Sequence, residues 1–302
     1  MKNSAGRCRL VRRSFLNRWG RFHTGCHTNF ISYCVVLRGE ISGEPGIPVS
    51  IGNPTLSANL LGTLLVASGT GTLNQDLERK FDAQMRRTAR RPAAAGRLTP
   101  SAVLAFGTAL AAVGSLYLTI AVNLLASALA TLTLVTYLFV YTPLKRKTPL
   151  CVLVGAFPGV MRPLIGWAAA SGRLSVEAVI LYVVLFLWQF PHFMAIAWMY
   201  REDYDRAGYL VLPKDNARVP FVILETLFPL FLLVAISIMQ SPARHTATFY
   251  GAVALLGTGF AYFAAAFVSE RSRVAARRLL TASIVYLPLL YGLSATSCSR
   301  AR

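Results

Sequence analysis

Three side chains that carry oxygen atoms are spaced one helical turn apart at the end of the first long apolar run. Asn74, Glu78 and Asp82 stand at i, i+4 and i+8, so on a continuing helix they share one face. Carboxylates stacked in this way repel one another unless a cation lies between them. Oxygen ligands suit Mg²⁺, which bridges protein carboxylates to substrate phosphates. The motif therefore predicts a magnesium and phosphate site, with a solvated loop as the alternative.

Basic residues follow this motif within three helical turns. Arg87, Arg90 and Arg91 come shortly after Asp82. The guanidinium fork matches the geometry of phosphate oxygens, so these residues could hold the oxygens that a metal ion does not. The alternative is that they only mark the end of a membrane span.

A second polar group lies at the end of another apolar run. Gln189 and His192 are embedded in apolar sequence, and polar residues in such helices usually face the interior of a bundle. Asp203 follows about three turns after His192, on roughly the same face. Pro191 is tolerated where a helix lines a cavity. Two acidic clusters at the mouths of two helices can converge on one site.

The composition indicates what positions these residues. The chain is 55% hydrophobic and 14% charged with a mean hydropathy of +0.51, which is too apolar for a soluble domain. No Asp, Glu, Lys or Arg occurs between Arg97 and Lys145, a gap long enough for two membrane-spanning helices that turn at Asn123. We predict an all-α, polytopic transmembrane bundle of eight spans: 54–74, 101–120, 122–141, 149–168, 177–200, 219–239, 247–268 and 279–297.

The positive charge is distributed as a topology signal. The 31 Lys and Arg residues exceed the 12 Asp and Glu residues and give +19, which in a soluble protein would suggest a nucleic-acid partner. However, 18 of them lie in four loops that alternate with loops holding two. By the positive-inside rule the richer side faces the cytoplasm or the mitochondrial matrix, and no nucleic-acid partner is expected. Both acidic clusters lie on that side.

The first 50 residues form a separate basic segment. They hold eight basic residues, no acid before Glu40 and no apolar run long enough to span a bilayer. This pattern predicts a mitochondrial presequence, with a disordered basic arm as the alternative. The expected location is the mitochondrial inner membrane, and a bacterial inner membrane is the alternative.

Five sequence blocks occur in the order of one known family. They are Asn74-x3-Glu78-x3-Asp82-x2-Met85-x-Arg87-Thr88-x2-Arg91-Pro92, Tyr141-Thr-Pro143-Leu-Lys145-Arg146, Pro163-Leu-Ile-Gly166-Trp167, Trp188-Gln-Phe-Pro191-His192-Phe193 and Tyr200-Arg-Glu-Asp203-Tyr204. Through these blocks residues 54–300 resemble the protoheme IX farnesyltransferase branch of the UbiA-type intramembrane prenyltransferases.

The resemblance implies helices around a central cavity that opens toward the basic side. It implies Mg²⁺-dependent transfer of a farnesyl group from farnesyl diphosphate to a vinyl group of heme b, giving heme O, in contact with membrane lipid. A downstream heme A synthase is a possible partner. The implied residues are Asn74, Glu78, Asp82, Glu202 and Asp203 for catalysis, Asn74, Glu78, Asp82 and Asp203 for the metal, and Arg87, Arg91, Tyr141, Lys145, His192 and Arg201 for the substrates.

His192 is the residue that best distinguishes between the possible prenyl acceptors. Pro-His-Phe is similar to the heme-using branch, whereas relatives acting on quinone precursors tend to carry an additional Asp nearby. The imidazole could ligate or orient heme iron, or could be a hydrogen-bonded cavity histidine. A UbiA-type enzyme with another acceptor and a catalytically silent, truncated paralogue are the alternative functions.

The chain departs from the family pattern in two places. The family has nine spans, and no apolar run of that length precedes residue 54, so the basic arm is expected on the side opposite to the basic loops. Arg162 replaces a small residue or proline within the fourth span. An arginine there costs about 2.5–3.5 kcal/mol on insertion scales, so it should face the cavity or a partner. A contact to a heme propionate and an unfavourable substitution in a degraded copy both remain open.

Overall fold

A computed structural model describes residues 54–213, 218–239 and 247–299, and the predicted basic arm over 1–50 lies outside them. Within these ranges eight helical segments are long and apolar enough to cross a membrane. The predicted class, an all-α polytopic bundle with eight spans, is confirmed.

The bounds of the elements differ from the predicted spans mainly at the ends. In chain order the helices are α1 (Pro54–Leu77), α2 (Arg79–Asp82), α3 (Pro100–Ala121), α4 (Leu124–Val135), α5 (Thr142–Leu144), α6 (Cys151–Gly159), α7 (Met161–Ser171), α8 (Val176–Met199), α9 (Arg201–Arg206), α10 (Arg218–Met239), α11 (Ala247–Glu270) and α12 (Arg273–Ser299). A π-helical turn, Thr136–Tyr141, joins α4 to α5.

The last span begins earlier than its predicted start at 279. The hydroxyl of Ser272 accepts a hydrogen bond from the Ala275 N–H at 3.0 Å and so caps the first turn of α12. The arginines of this segment therefore lie on the helix rather than in a loop, where their long side chains can extend toward the membrane surface.

Small residues let α1 and α3 pack closely. A Cβ atom built on Gly69 would lie 2.6 Å from the backbone nitrogen of Ala111, and one built on Gly114 would lie 2.8 Å from the backbone nitrogen of Val66. Such close backbone approach is how helices associate in lipid, where apolar side chains gain little by leaving the bilayer. α1, which ends at the predicted acidic motif, is thereby held firmly against α3.

The α8 helix is the central element of the bundle. It packs against α6, α7, α10 and α12, and its buried residues, among them Val184, Phe190 and Met194, belong to the main apolar core. Residues at both ends of α8 therefore have neighbours from several spans.

The predicted turn at Asn123 is present and is fixed by its own side chain. Its carbonyl oxygen accepts a hydrogen bond from the Ala126 N–H at 2.8 Å and starts α4, while its amide donates to the Ala168 carbonyl at 2.8 Å. This second bond ties the α3–α4 turn to the end of α7.

The fourth predicted span, 149–168, is two helices rather than one. α6 ends at Gly159, and Val160 leaves the helical conformation with φ −117°. The amide of Gln189 on α8 donates at 2.6 Å to the Ala156 carbonyl, which an uninterrupted helix would pair with the Val160 N–H. A backbone break at this depth requires such a partner, because lipid offers none.

The basic loops meet at one end of the bundle, as their alternation predicts. The Leu210 N–H donates to the Lys145 carbonyl at 2.7 Å, and Lys145 in turn contacts Glu78 in the loop after α1. The Trp198 indole donates to the Arg271 carbonyl at 2.8 Å. All four loops therefore contribute to one surface.

We expect Gly69→Ala to lower the thermal unfolding midpoint of the purified protein in detergent. The added methyl group would meet backbone atoms of α3, which cannot rotate away, and overpacking of this kind costs about 1–3 kcal/mol. Gly71→Ala is the matched control on the same helix, since a Cβ there meets no atom within 4 Å. Equal midpoints for the two variants would contradict the close α1–α3 contact.

Candidate functional site

The carboxylate of Glu78 is the most highly coordinated acidic group in the described part of the chain. It accepts a hydrogen bond from Asn74 Nδ2 at 2.7 Å, from Lys145 Nζ at 3.0 Å and from the Tyr209 hydroxyl at 2.9 Å. These partners come from α1, from the segment after α5 and from the loop after α9. One buried carboxylate thus joins three segments that are far apart in sequence.

The helical spacing of the first motif persists although α1 ends at Leu77. The Glu78 N–H still bonds to the Asn74 carbonyl at 2.9 Å, and the Asp82 N–H bonds to the Glu78 carbonyl at 2.8 Å. Asn74, Glu78 and Asp82 are all buried. The oxygen atoms of the motif therefore point into protein, which argues against the solvated loop that the sequence left open.

A π-helical turn presents two tyrosines to Lys145. Pro143 has no N–H to donate, and the Thr142 N–H bonds to the Tyr137 carbonyl five residues back rather than four. The rings of Tyr137 and Tyr141 lie 5.7 and 4.4 Å from Lys145 Nζ. The irregular turn therefore builds a cationic site with aromatic walls.

The same turn fixes Asn74. The Thr142 hydroxyl donates to Asn74 Oδ1 at 2.9 Å, which leaves the amide nitrogen of Asn74 directed at Glu78. The orientation of this side chain is thus determined by two neighbours.

The protonation states in this cluster follow from its charges. Burial disfavours the Lys145 ammonium, but Tyr141, Tyr137 and Glu78 outweigh this effect and raise the pKa of Lys145 above its ordinary value. Burial, followed by the nearby Glu78 carboxylate, raises the pKa of Tyr209. Lys145 is therefore charged and Tyr209 protonated at neutral pH, so both can donate to Glu78.

Asp82 carries an oxygen atom with no partner. The residue is only 1% exposed, and its Oδ2 accepts a hydrogen bond from Arg91 at 2.8 Å. Its Oδ1 is buried and has no hydrogen-bond partner among the described residues. A buried carboxylate oxygen without a partner is costly, so this atom is a position where a cation would be stabilised.

Arg87 connects the first motif to the second. Its guanidinium lies 4.8 Å from the ring centre of Tyr200 and 5.4 Å from that of Tyr204, and it donates to the Tyr204 hydroxyl at 3.0 Å. Tyr204 also packs against a small apolar cluster formed by Met85, Ala207 and Tyr209. The loop after α1 is therefore in direct contact with the segment after α8.

The structure places the three residues predicted around the second motif differently. Asp203 is largely shielded and pairs with Arg206 at 3.0 Å. The Glu202 side chain is 59% exposed and pairs with Arg273, and Arg201 stacks on Trp198 and donates to its carbonyl. Glu202 thus contacts α12 and Arg201 contacts the end of α8, whereas Asp203 pairs within α9.

His192 lies deeper, against α12. Its Nδ1 is 2.9 Å from the Ser283 hydroxyl, and its ring stacks on Trp188 at 4.8 Å between centres. The Ser283 hydroxyl donates to the Leu280 carbonyl at 2.7 Å, so its oxygen accepts from Nδ1–H of the imidazole. In neutral His192 the lone pair therefore resides on Nε2.

The oxygen atoms of the site do not form a complete metal-binding cage, but one carboxylate is suited to bind a hard cation. Within residues 54–213, 218–239 and 247–299, no three His, Cys, Asp or Glu side chains are grouped closely enough to hold a metal. The unpartnered Asp82 oxygen and the neighbouring oxygens of Asn74 and Glu78 are nevertheless ligands of the kind that Mg²⁺ takes together with substrate phosphate.

Three residues of the site were not predicted from the sequence. Tyr137, Thr142 and Tyr209 act on Lys145, Asn74 and Glu78 respectively. The spacing of Tyr137, Tyr141 and Lys145 by four residues was a usable signal. Nothing in the sequence marked Tyr209.

This geometry agrees with what the chain is similar to. Residues 41–287 match the UbiA prenyltransferase family. The chain belongs to the UbiA prenyltransferase family.

Several similar proteins carry the same activity in their names. The protoheme IX farnesyltransferase of Solibacter usitatus is 45% identical over 236 residues, which are 78% of this chain and 80% of that protein. The mitochondrial protoheme IX farnesyltransferase of Arabidopsis thaliana is 35% identical over 252 residues, 83% of this chain and 58% of the plant protein.

Two solved UbiA-type structures share the fold. One is a digeranylgeranylglyceryl phosphate synthase, with a TM-score of 0.68, 15% identity and coverage of 90% of this chain and 94% of the other. The second is a UbiA homolog from Aeropyrum pernix K1, with a TM-score of 0.60, 19% identity and coverage of 89% and 95%. At these identities the likeness shows the helical architecture alone.

We expect Lys145→Met to destabilise the protein by about 3–5 kcal/mol, because it leaves Glu78 buried and unpaired. Removing the charge of Glu78 as well, in Lys145→Met with Glu78→Gln, should recover much of this loss. Arg273→Met is the control, since the exposed Arg273–Glu202 pair contributes at most about 1 kcal/mol. Thermal unfolding in detergent measures all three, and similar midpoints for Lys145→Met and Arg273→Met would contradict the buried pair.

Proposed function

We propose that the chain transfers the farnesyl group of farnesyl diphosphate to a vinyl group of heme b and so produces heme O. The observation that carries this is the buried cluster of Asn74, Glu78, Lys145 and Tyr209, beside an Asp82 oxygen that has no partner. The names of the relatives, protoheme IX farnesyltransferase at up to 45% identity, support the choice of substrates.

The diphosphate is assigned to the end of the bundle where the basic loops meet. Lys145, Arg87 and Arg91 supply positive charge there, and Asn74, Glu78, Asp82 and Asp203 supply oxygen ligands. Members of this family generally depend on a divalent metal ion, and we assign Mg²⁺. Bound Mg²⁺ would neutralise charge on the diphosphate as it leaves.

The chain's own residues stabilise the charges that develop during transfer. The C–O bond to the diphosphate breaks while a C–C bond forms between the farnesyl group and a vinyl carbon. Water then adds to the carbocation left on the former vinyl group, and a proton is released. Cationic side chains stabilise the departing diphosphate, and the rings of Tyr137 and Tyr141 present their electron-rich faces to positive charge. The apolar spans protect the farnesyl cation from premature hydrolysis.

His192 is assigned to the iron of heme b. Its Nδ1–H bond to Ser283 and its stacking on Trp188 fix the ring plane, and in the neutral ring Nε2 carries the lone pair that a metal takes. Because α8 bears His192 within its apolar part and Asp203 follows at its end, a heme beside His192 would lie on the apolar side of the diphosphate.

The location and partner follow from the product. The chain is a multi-span membrane protein with bacterial relatives and a mitochondrial one. We assign it to the mitochondrial inner membrane, with a bacterial inner membrane as the alternative, and we place it before a heme A synthase that would consume heme O.

Expression of the full chain in cells that lack their own heme O synthase tests the reaction. We expect heme O in the extracted hemes by mass spectrometry, and we expect Asp82→Asn and Asp203→Asn to lower its yield by about 100-fold or more, because each removes charge that stabilises the transition state. The extract contains heme b alone if the proposal is wrong.

Asp205→Asn is the matched control for this experiment. It makes the same carboxyl-to-amide change in α9, but Asp205 pairs with Arg218 on the exposed side of that helix. We expect it to retain nearly the full yield. A prenylated 4-hydroxybenzoate product in place of heme O would indicate the other acceptor class.

His192→Ala should change the absorption spectrum of bound heme b and weaken its binding, since the axial nitrogen is lost. Added imidazole should restore the Soret band of the variant toward that of the native protein, which a merely structural defect would not allow. Heme titration of the protein in nanodiscs measures both effects. If His192→Ala leaves both the heme spectrum and turnover unchanged, His192 is not a ligand of the heme iron.

A further inference from the structure

Arg162 is a charged residue inside a membrane-spanning segment, at the break between α6 and α7. Among the described residues its guanidinium forms no hydrogen bond and no ion pair. An arginine at this depth is expensive unless it faces the bundle interior and meets an anion. The neighbours of Arg162 therefore decide whether the charge is misplaced or forms part of a binding site.

The face of α7 that bears Arg162 borders open space inside the bundle. Gly166 lies one turn further along the same face and is buried, yet a Cβ atom built on it would meet no atom within 4 Å outside its own helical turn. On another face of α7, by contrast, Met161 and Ile165 are packed tightly against α1 and α4. Arg162 is thus on the unfilled side of an otherwise buried helix.

The start of α7 adds a second feature that favours an anion. No side chain caps this helix, which has eleven residues. Val160 leaves the helical conformation, and its N–H forms no hydrogen bond among the described residues, while the Ala156 carbonyl accepts from Gln189 instead. Uncapped N–H groups and the positive end of a helix next to a guanidinium attract negative charge.

Arg162 also belongs to the same wall as the proposed diphosphate site. α7 packs against α4, and α4 leads into the π-helical turn that holds Tyr137, whose ring is 5.7 Å from Lys145 Nζ. Lys145 in turn binds Glu78. The wall therefore runs from the acidic motif through Lys145 and Tyr137 to α7, the helix that bears Arg162.

We propose that Arg162 and the start of α7 bind a carboxylate of the prenyl acceptor. This inference rests on the proposed function, in which the acceptor is heme b with two propionate groups. The pairing supplies the anion that the half-buried guanidinium lacks and fixes the tetrapyrrole so that a vinyl group can face the farnesyl chain. It makes Arg162 a specificity-determining residue of this chain.

Heme titration of the full chain in nanodiscs tests the pairing, with heme b and its dimethyl ester as probes. The native protein should bind heme b roughly tenfold or more tightly than the ester, as expected for a charge-assisted hydrogen bond. Arg162→Leu should bind both forms equally, at the affinity of the native protein for the ester, and Arg162→Lys should fall between. Arg173→Leu, which removes the same charge from an exposed loop, should keep the native preference.

Two further measurements separate binding from folding. Arg162→Leu should raise the thermal midpoint of the ligand-free protein, because it removes an unpaired charge from a membrane-spanning segment. Gly166→Phe should fill the space beside Arg162 and weaken heme b binding while the affinity for farnesyl diphosphate stays within twofold or so of the native value. The pairing would be overturned if Arg162→Leu still bound heme b more tightly than the dimethyl ester. It would also be overturned if Arg162→Leu lost affinity for farnesyl diphosphate instead of for heme b.

The same experiment distinguishes failure of this inference from failure of the proposed function. A native protein that makes heme O but binds the acid and the ester equally overturns the role of Arg162 alone. A native protein that binds neither form and makes no heme O overturns the proposed function and this inference with it.

Discussion

The carboxylate of Glu78 is the group on which the arrangement of this end of the molecule depends. It is buried where apolar helices end, and a buried carboxylate is tolerated only if its oxygens are hydrogen-bonded and its charge is matched. Lys145, Asn74 and Tyr209 meet that requirement together. These partners lie on three separate segments, so pairing the Glu78 carboxylate fixes the three segments relative to one another. The backbone bond from Leu210 to Lys145 strengthens this arrangement.

The bilayer imposes a second constraint, which explains where the helices are irregular. Lipid cannot pair a released N–H or carbonyl group, so each break must be compensated from within the protein. Gln189 does this for the Ala156 carbonyl, and the Thr142 N–H does it for the Tyr137 carbonyl. Both irregularities lie beside residues assigned to substrates, namely Arg162 and Lys145. The two irregular helix segments thus lie next to residues that are proposed to bind substrates, as is common at functional sites.

The sequence predicted the features that depend on composition and local spacing. The eight spans, the Asn123 turn and the common side of the basic loops follow from apolar length and charge alternation. It did not predict the division of the fourth span, because Gln189 is 33 residues from the carbonyl it pairs with. The role of Tyr209 was missed for the same reason. Glu202 and Asp203 are adjacent in sequence, and only their partners, Arg273 and Arg206, reveal that one is exposed and the other shielded.

The wide sequence separation of the Glu78 partners has a consequence for how the protein is made. Lys145 lies 67 residues after Glu78, and Tyr209 lies 131 residues after it. During synthesis from the N-terminus, two more spans are completed before the first of these partners is available, and five spans precede the second. The carboxylate can therefore gain its full set of partners only after the fifth span has been inserted. Burial of Glu78 is thus a late event in biogenesis, and it couples completion of the bundle to formation of a functional site.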